Sequence, residues 1–319
     1  MRASWPFIVV LIFIGCVDAA APAPTPLQAR QINLLVVGDV GYNPADKKNT
    51  NQQTVANAMV DYLRGRPTRF DAVLMPGDIF KVKMTSTKDA AFQKGFEEMY
   101  DRSVFNMPFY PVLGNHDYDA PASAVELSYS SRFPESRWKM PARWYRIDLP
   151  AASPLVTVFM LDSNRDKMSS GDWKNQIKWL ENELATPRAA AWTICCAHKP
   201  AFSDGQHGDS QTVQTQFGPL LKKYNVDFYF SGHDHVLEHT QPDGWKTSFV
   251  ISGGGGENVE RPVNGHKALF TQAVIGFAHF QADSRTARVR MINAKGSILH
   301  AFERTRAGEV RVLGNPGTD

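Results

Sequence analysis

Cysteine is scarce, with three among 319 residues. Cys16 lies in an apolar N-terminal run, and Cys195 and Cys196 are neighbours, whose mutual bond would close a strained ring. A disulfide framework is therefore excluded, and the adjacent thiols are expected to be reduced in a buried strand. Neither sign of charge dominates: 35 Lys and Arg face 32 Asp and Glu, for a net +3. Without a long basic run, the chain is not expected to bind nucleic acid. Beyond the N-terminus no stretch of ~18 apolar residues occurs, so no stable membrane span is expected there. Gly253 to Gly256 lacks the Lys-Ser/Thr of a phosphate-cradling loop and reads as a tight passage near the functional residues. What is present, 43% hydrophobic and 21% charged residues, suits a globular core that needs no staples.

Met1 to Ala20 reads as an export signal. Arg2 precedes the apolar run Phe7 to Gly15, and Ala19, Ala20 and Ala21 surround a cleavage point. A retained anchor competes with this reading, although the run falls short of the roughly 20 residues a span takes. A lipoprotein signal at Gly15-Cys16 also competes, with Phe13 fitting it poorly. The expected location is secreted, or periplasmic and otherwise extracytoplasmic. Residues 21–30 carry Pro22, Pro24 and Pro26 and read as a linker. Residues 31–319 read as one domain, and the sequence leaves the oligomeric state open.

From Gln31 onward, short apolar runs alternate with helical stripes. Ile32 to Val37, Asp71 to Met75, Met107 to Leu113, Val156 to Leu161, Trp192 to Cys196, Val226 to Phe230 and Ser248 to Ile251 predict buried strands. Val55, Met59 and Leu63 share one helical face. So do Trp173, Ile177, Leu180 and Leu184, after a capping candidate at Ser170. Further strand-like runs lie at Ala278 to Ala282, Ala287 to Ile292 and Ile298 to Phe302. Buried strands separated by amphipathic helices define an α/β protein.

Polar residues follow directly on these runs. Asp39, Asp78, Asn115, His116, His198, His233 and His235 all stand at strand ends, most beside a glycine. In α/β sheets ligands bind beyond the carboxyl ends of strands. One histidine after a strand is usually a structural hydrogen-bonder. Asp, Asp, Asn, His and His-x-His at five strand ends form a metal-ligand set. The mixture of carboxylate, amide and imidazole suits Fe, Mn or Zn better than Ca. Two such ions ~3.5–4 Å apart can clamp a phosphoryl group and generate hydroxide near neutral pH. His239, His266, His279 and His300 lack such company and read as structural or surface residues.

Taken in order, these blocks resemble the calcineurin-like metallophosphoesterase superfamily, and within it the small purple acid phosphatases of the tartrate-resistant type. The blocks are Gly38-Asp39-Val40-Gly41, Gly77-Asp78, Gly114-Asn115-His116-Asp117, Ala197-His198 and Gly232-His233-Asp234-His235. The resemblance implies a four-layer sandwich of two mixed β-sheets flanked by helices. It implies that Asp39 and His235 bind a first metal, that Asp78 bridges, and that Asn115, His198 and His233 bind a second. His116, held by Asp117, would protonate the leaving group, and His207 would lie over the substrate. The implied activity is an exported, metal-dependent acid phosphatase acting on phosphomonoesters through metal-bound hydroxide, with a mildly acidic optimum. A phosphodiesterase or nucleotide phosphatase on the same residues, and a non-catalytic binding or scaffold protein, are the alternatives.

Two positions depart from the pattern. Purple members carry a tyrosine three residues after the bridging aspartate; Lys81 stands there. Other members carry a histidine two residues after the first aspartate; Gly41 stands there. Three outcomes follow. Two divalent ions bind, with solvent completing the first site; Tyr42 replaces the tyrosine; or the first site is weak or empty. No tyrosinate-to-iron colour is expected.

Overall fold

The computed structural model describes Met1 and residues 30–46, 50–119, 122–259, 261 and 267–314. The remainder of the expected export signal, the linker up to residue 29, and His266 lie outside the described residues.

The apolar runs form strands in chain order: β1 (Ile32–Val36), β2 (Ala72–Met75), β3 (Phe109–Pro111), β4 (Tyr145–Leu149), β5 (Val156–Met160), β6 (Trp192–Cys196) and β7 (Phe228–Ser231). They continue as β8 (Leu237–Thr240), β9 (Ser248–Ser252), β10 (Ala268–Gln272), β11 (Gly276–Ala282), β12 (Thr286–Asn293), β13 (Ile298–Thr305) and β14 (Val310–Val312). One sheet has the order β14-β13-β12-β11-β1-β2-β3, the other β10-β8-β9-β7-β6-β5-β4. Both are mixed. The runs β1-β2-β3 and β5-β6-β7-β9 are parallel, whereas β11 joins β1, and β4 and β8 join their neighbours, antiparallel. The helices are α1 (Asn51–Arg64), α2 (Ala90–Phe92), α3 (Ala122–Arg132), α4 (Ser170–Ala185) and α5 (Gly218–Lys223).

Strand side chains alternate between faces, and the core divides accordingly. Val158, Met160, Ile194, Cys196, Phe228 and Phe230 join the cluster shared with the first sheet. Phe159, Cys195, Tyr229 and Phe249 pack with Trp173, Leu180 and Leu184 of α4 and Leu221 of α5. The ring of Phe280 from β11 meets Phe228 edge-on at 5.2 Å across the sheet interface. On the far side, Tyr62 of α1 packs on Phe277 at 5.3 Å. The layers are helix, sheet, sheet, helix, as the resemblance implies. Cys195 and Cys196 are buried and free, and the pleat sends them into different clusters.

The helix α4 begins one residue earlier than its capping candidate suggested. Ser169, not Ser170, is the cap, and its hydroxyl accepts the Asp172 N–H at 3.0 Å.

Candidate metal centre

The parallel strands of both sheets end at one rim. There the Gly38 N–H donates to the Ser252 carbonyl at 2.8 Å, and the Ser252 hydroxyl donates to the Val36 carbonyl at 2.7 Å. These bonds stitch the end of β1 to the end of β9, so residues after β1, β2 and β3 face residues after β6 and β7. The glycine passage makes the approach close enough. A Cβ on Gly255 would lie 2.2 Å from the Gly38 carbonyl oxygen, and one on Gly253 would lie 2.1 Å from that of Asp234.

His198 stands at the middle. Its Nδ1 lies 2.9 Å from the Pro76 carbonyl oxygen. A carbonyl only accepts, so Nδ1 carries the proton. Burial pushes the imidazole below its ordinary pKa, so the ring is neutral and Nε2 holds a lone pair. That lone pair faces Asn115 Oδ1 at 3.0 Å, His233 Nδ1 at 3.1 Å and Asp78 Oδ1 at 3.5 Å. Carboxylate and amide oxygens are also acceptors. Donor atoms about 2.0–2.2 Å from one shared cation sit about 3.0–3.5 Å apart. The spacing and chemistry of this group therefore fit a cation.

A second group adjoins it. Asp39 is fully buried, and both carboxylate oxygens accept the His233 N–H, at 3.1 and 2.9 Å. His235 donates Nδ1–H to the Asn258 carbonyl at 2.8 Å, which turns Nε2 to within 3.8 Å of Asp39 Oδ1. Burial and the charge of Asp78 push the Asp39 carboxyl well above its ordinary range. Donor atoms of Asp39, Asp78 and His198 all lie within 4.8 Å of one another. Asp78 thus sits between the two groups.

His116 lies beside Asp78, its Nε2 4.0 Å from Oδ2, with a side chain 40% exposed. His207 is exposed, and its ring stacks on His233 with centroids 4.3 Å apart. Its loop is tied down by Asp234, which accepts the His207 N–H at 2.7 Å and the Ser203 hydroxyl at 2.6 Å. All six expected ligands and both histidines thus converge. Asp117 differs from expectation. Its carboxylate accepts the N–H groups of Ile79, Phe80 and Gly114 at 2.9, 3.0 and 2.8 Å and so fixes the loop that presents Asp78. The carboxylate near the His116 ring is that of Asp119, 3.6 Å from Nδ1.

Tyr42 does not replace the missing tyrosine. Its ring lies against Gly95 and packs edge-on to Phe80, away from the acceptor groups. Lys81 pairs with Glu257, Nζ to Oε1 at 2.7 Å. Glu257 went unnoticed in the sequence, although it directly follows the glycine passage. His239 and His300 pair with each other at 3.0 Å, and His279 bonds Tyr62 and Asn33, so these are structural.

The rim between the two sheets thus carries a cluster of metal-ligand types, Asp39, Asp78 and His198, that could hold a cation. The sequence profile of the calcineurin-like phosphoesterase family matches residues 32–237, and the chain belongs to that family. It is 28% identical over 318 residues to human tartrate-resistant acid phosphatase type 5, covering 91% of this chain and 93% of that one. It is 29% identical over 278 residues to purple acid phosphatase 7 of Arabidopsis thaliana, covering 78% and 80%. In structure it resembles GAP50, described as the anchor in the inner membrane complex of Plasmodium. The TM-score is 0.74 at 19% identity, over 92% of each chain. It also resembles purple acid phosphatase PPD1 of yellow lupin, with TM-score 0.68 at 19% identity, over 88% of this chain and 55% of that one.

Proposed function

We propose that this chain is an exported acid phosphatase that hydrolyses phosphate monoesters with a pair of divalent cations. The observation that carries the reading is the convergence of Asn115 Oδ1, His233 Nδ1 and Asp78 Oδ1 on His198 Nε2, whose own proton is held on Nδ1 by the Pro76 carbonyl. Asn115, His198, His233 and Asp78 would hold one cation, and Asp39, Asp78 and His235 the other. Bound there, the cations would polarise the phosphoryl oxygens and lower the pKa of water. The protein's own groups do the rest. Pro76 and Asn258 fix the tautomers of His198 and His235 through their carbonyls. His116, at the open face, donates a proton to the departing alkoxide. His207, stacked on His233, closes the phosphate side.

A second reading, a non-catalytic binding protein on the same scaffold, is favoured by Gly41 and Lys81, which leave the first position with three protein donors. The two readings separate on Mn²⁺-reconstituted protein assayed with an aryl monoester, a diester and a nucleotide. The enzyme reading expects turnover fastest on the monoester. It expects Asn115→Ala and His233→Ala each to lower kcat by about 100-fold or more. Metal-replete protein without turnover on any of the three esters supports the binding protein instead. A preference for the diester or the nucleotide redirects the substrate class.

A further inference from the structure

The two departures from the family pattern meet in space. Gly41 has φ +57°, and a Cβ there would lie 2.1 Å from Glu257 Oε1. The Glu257 carboxylate thus fills the space through which a side chain at position 41 would pass. Lys81, the residue at the tyrosine position, brings its ammonium to that same oxygen, at 2.7 Å. Both vacant ligand positions are therefore taken up by one ion pair.

This pair belongs to the wall of the first position. The Glu257 N–H donates to the Asp39 carbonyl at 2.9 Å, and the next residue, Asn258, orients His235. Glu257 is only 8% exposed. Its Oε1 meets the ammonium off the hydrogen-bonding direction and has no hydrogen-bond partner. Among the described residues, Lys81 makes no ion pair with Asp39 or Asp78, and its ammonium is held by Glu257.

The charges can be compared. Asp39, Asp78 and a tyrosinate would present three negative charges to a cation at the first position. Asp39, Asp78 and Glu257 with Lys81 present a net of two. One unit of negative charge is lost, and the charge left matches a divalent ion. The second position has four protein donors, Asp78, Asn115, His198 and His233, against three at the first, and the ammonium near it, that of Lys199, is paired with Asp166 at 3.1 Å.

We propose that the Lys81–Glu257 pair stands in for the missing ligands as a fixed charge pair, so that the first position takes a divalent cation and holds it more loosely than the second. Lys81 is thereby a residue that sets metal selectivity. The inference rests on the two-cation reading above.

The test is calorimetric titration of chelator-stripped protein with Mn²⁺, checked by elemental analysis. The native protein is expected to show two classes of site differing by about tenfold or more. Lys81→Met keeps the aliphatic stem, removes the charge and tightens the weaker class by about tenfold, moving the stronger class less than about twofold. Glu257→Gln, which retains the side-chain shape, weakens the weaker class by a similar factor. Native sites of equal affinity, or two classes indifferent to Lys81→Met, overturn this inference and leave the two-cation reading standing. Protein that takes up no Mn²⁺ overturns both. Should Lys81→Met fail to fold, Glu257→Gln alone decides: further loss of affinity in the weaker class supports the pair, and unchanged affinities overturn it.

Discussion

Asp39, Asp78 and His233 hold left-handed backbone, with φ of +56°, +50° and +73°. A non-glycine residue there costs on the order of 1 kcal/mol or more. Each is held by the bonds around it: the Asp39 N–H donates to Gly77, and the His233 N–H to the Asp39 carboxylate. Behind Asp117 lies Glu126, whose two buried oxygens accept no hydrogen bond among the described residues. Burial, then the charges of Asp117 and Asp78, pushes the Glu126 carboxyl well above 4.5. Burial and the charge of Asp78 push the Asp117 carboxyl up to about 7 against the three N–H groups it accepts, whereas Glu126 has no such donors to favour its ionised form, so the proton is placed on Glu126. The sign follows from linkage. The folded form keeps a proton that the unfolded chain loses near its ordinary value, so stability falls as pH rises above about 4.5. Glu126→Gln should be near neutral at pH 4.5 and stabilising by about 1 kcal/mol or more at pH 8. Denaturant melts at the two pH values check this; an equal effect at both contradicts it. The ligand types were legible in the sequence because each sits at a strand end. The tasks of Asp117 and Glu257 were not, because each acts through contacts made by distant segments.

At the scale of elements, strands buried on both faces were the easiest to read, since they are continuous apolar runs. The strands β4, β8, β10 and β14 were not read. Tyr145, Ile147 and Leu149 of β4 alternate with half-exposed residues, and β10 is mostly exposed. Edge strands of this kind carry a weaker signal than central ones. α3 was missed as well, because Ser, Glu and Tyr dilute its apolar stripe. The glycine passage after β9 was legible as a tight segment, and the structure supplies the reason. A Cβ on Gly255 would strike backbone, the Gly38 carbonyl, beside Asp39. Gly255→Ala is expected to cost about 1–3 kcal/mol and to lower turnover together with stability. Thermal melts and kcat on the aryl monoester measure both. An unchanged melting temperature would show that the rim yields.

At the scale of the molecule, two sheets of separate strand order converge on one rim, and the family assignment agrees with that architecture. Among the described residues no helix is long and apolar enough to cross a membrane. On the function proposed above, side chains from five strand ends hold a pair of cations at which phosphate monoesters are hydrolysed. Elemental analysis of Mn²⁺-reconstituted protein, with aryl-phosphate turnover read on the same sample before and after chelation, tests it most directly. Two equivalents of metal, turnover lost on chelation and turnover regained on adding Mn²⁺ back are the results expected. Protein that retains no metal, or hydrolysis that survives complete chelation, would contradict the account.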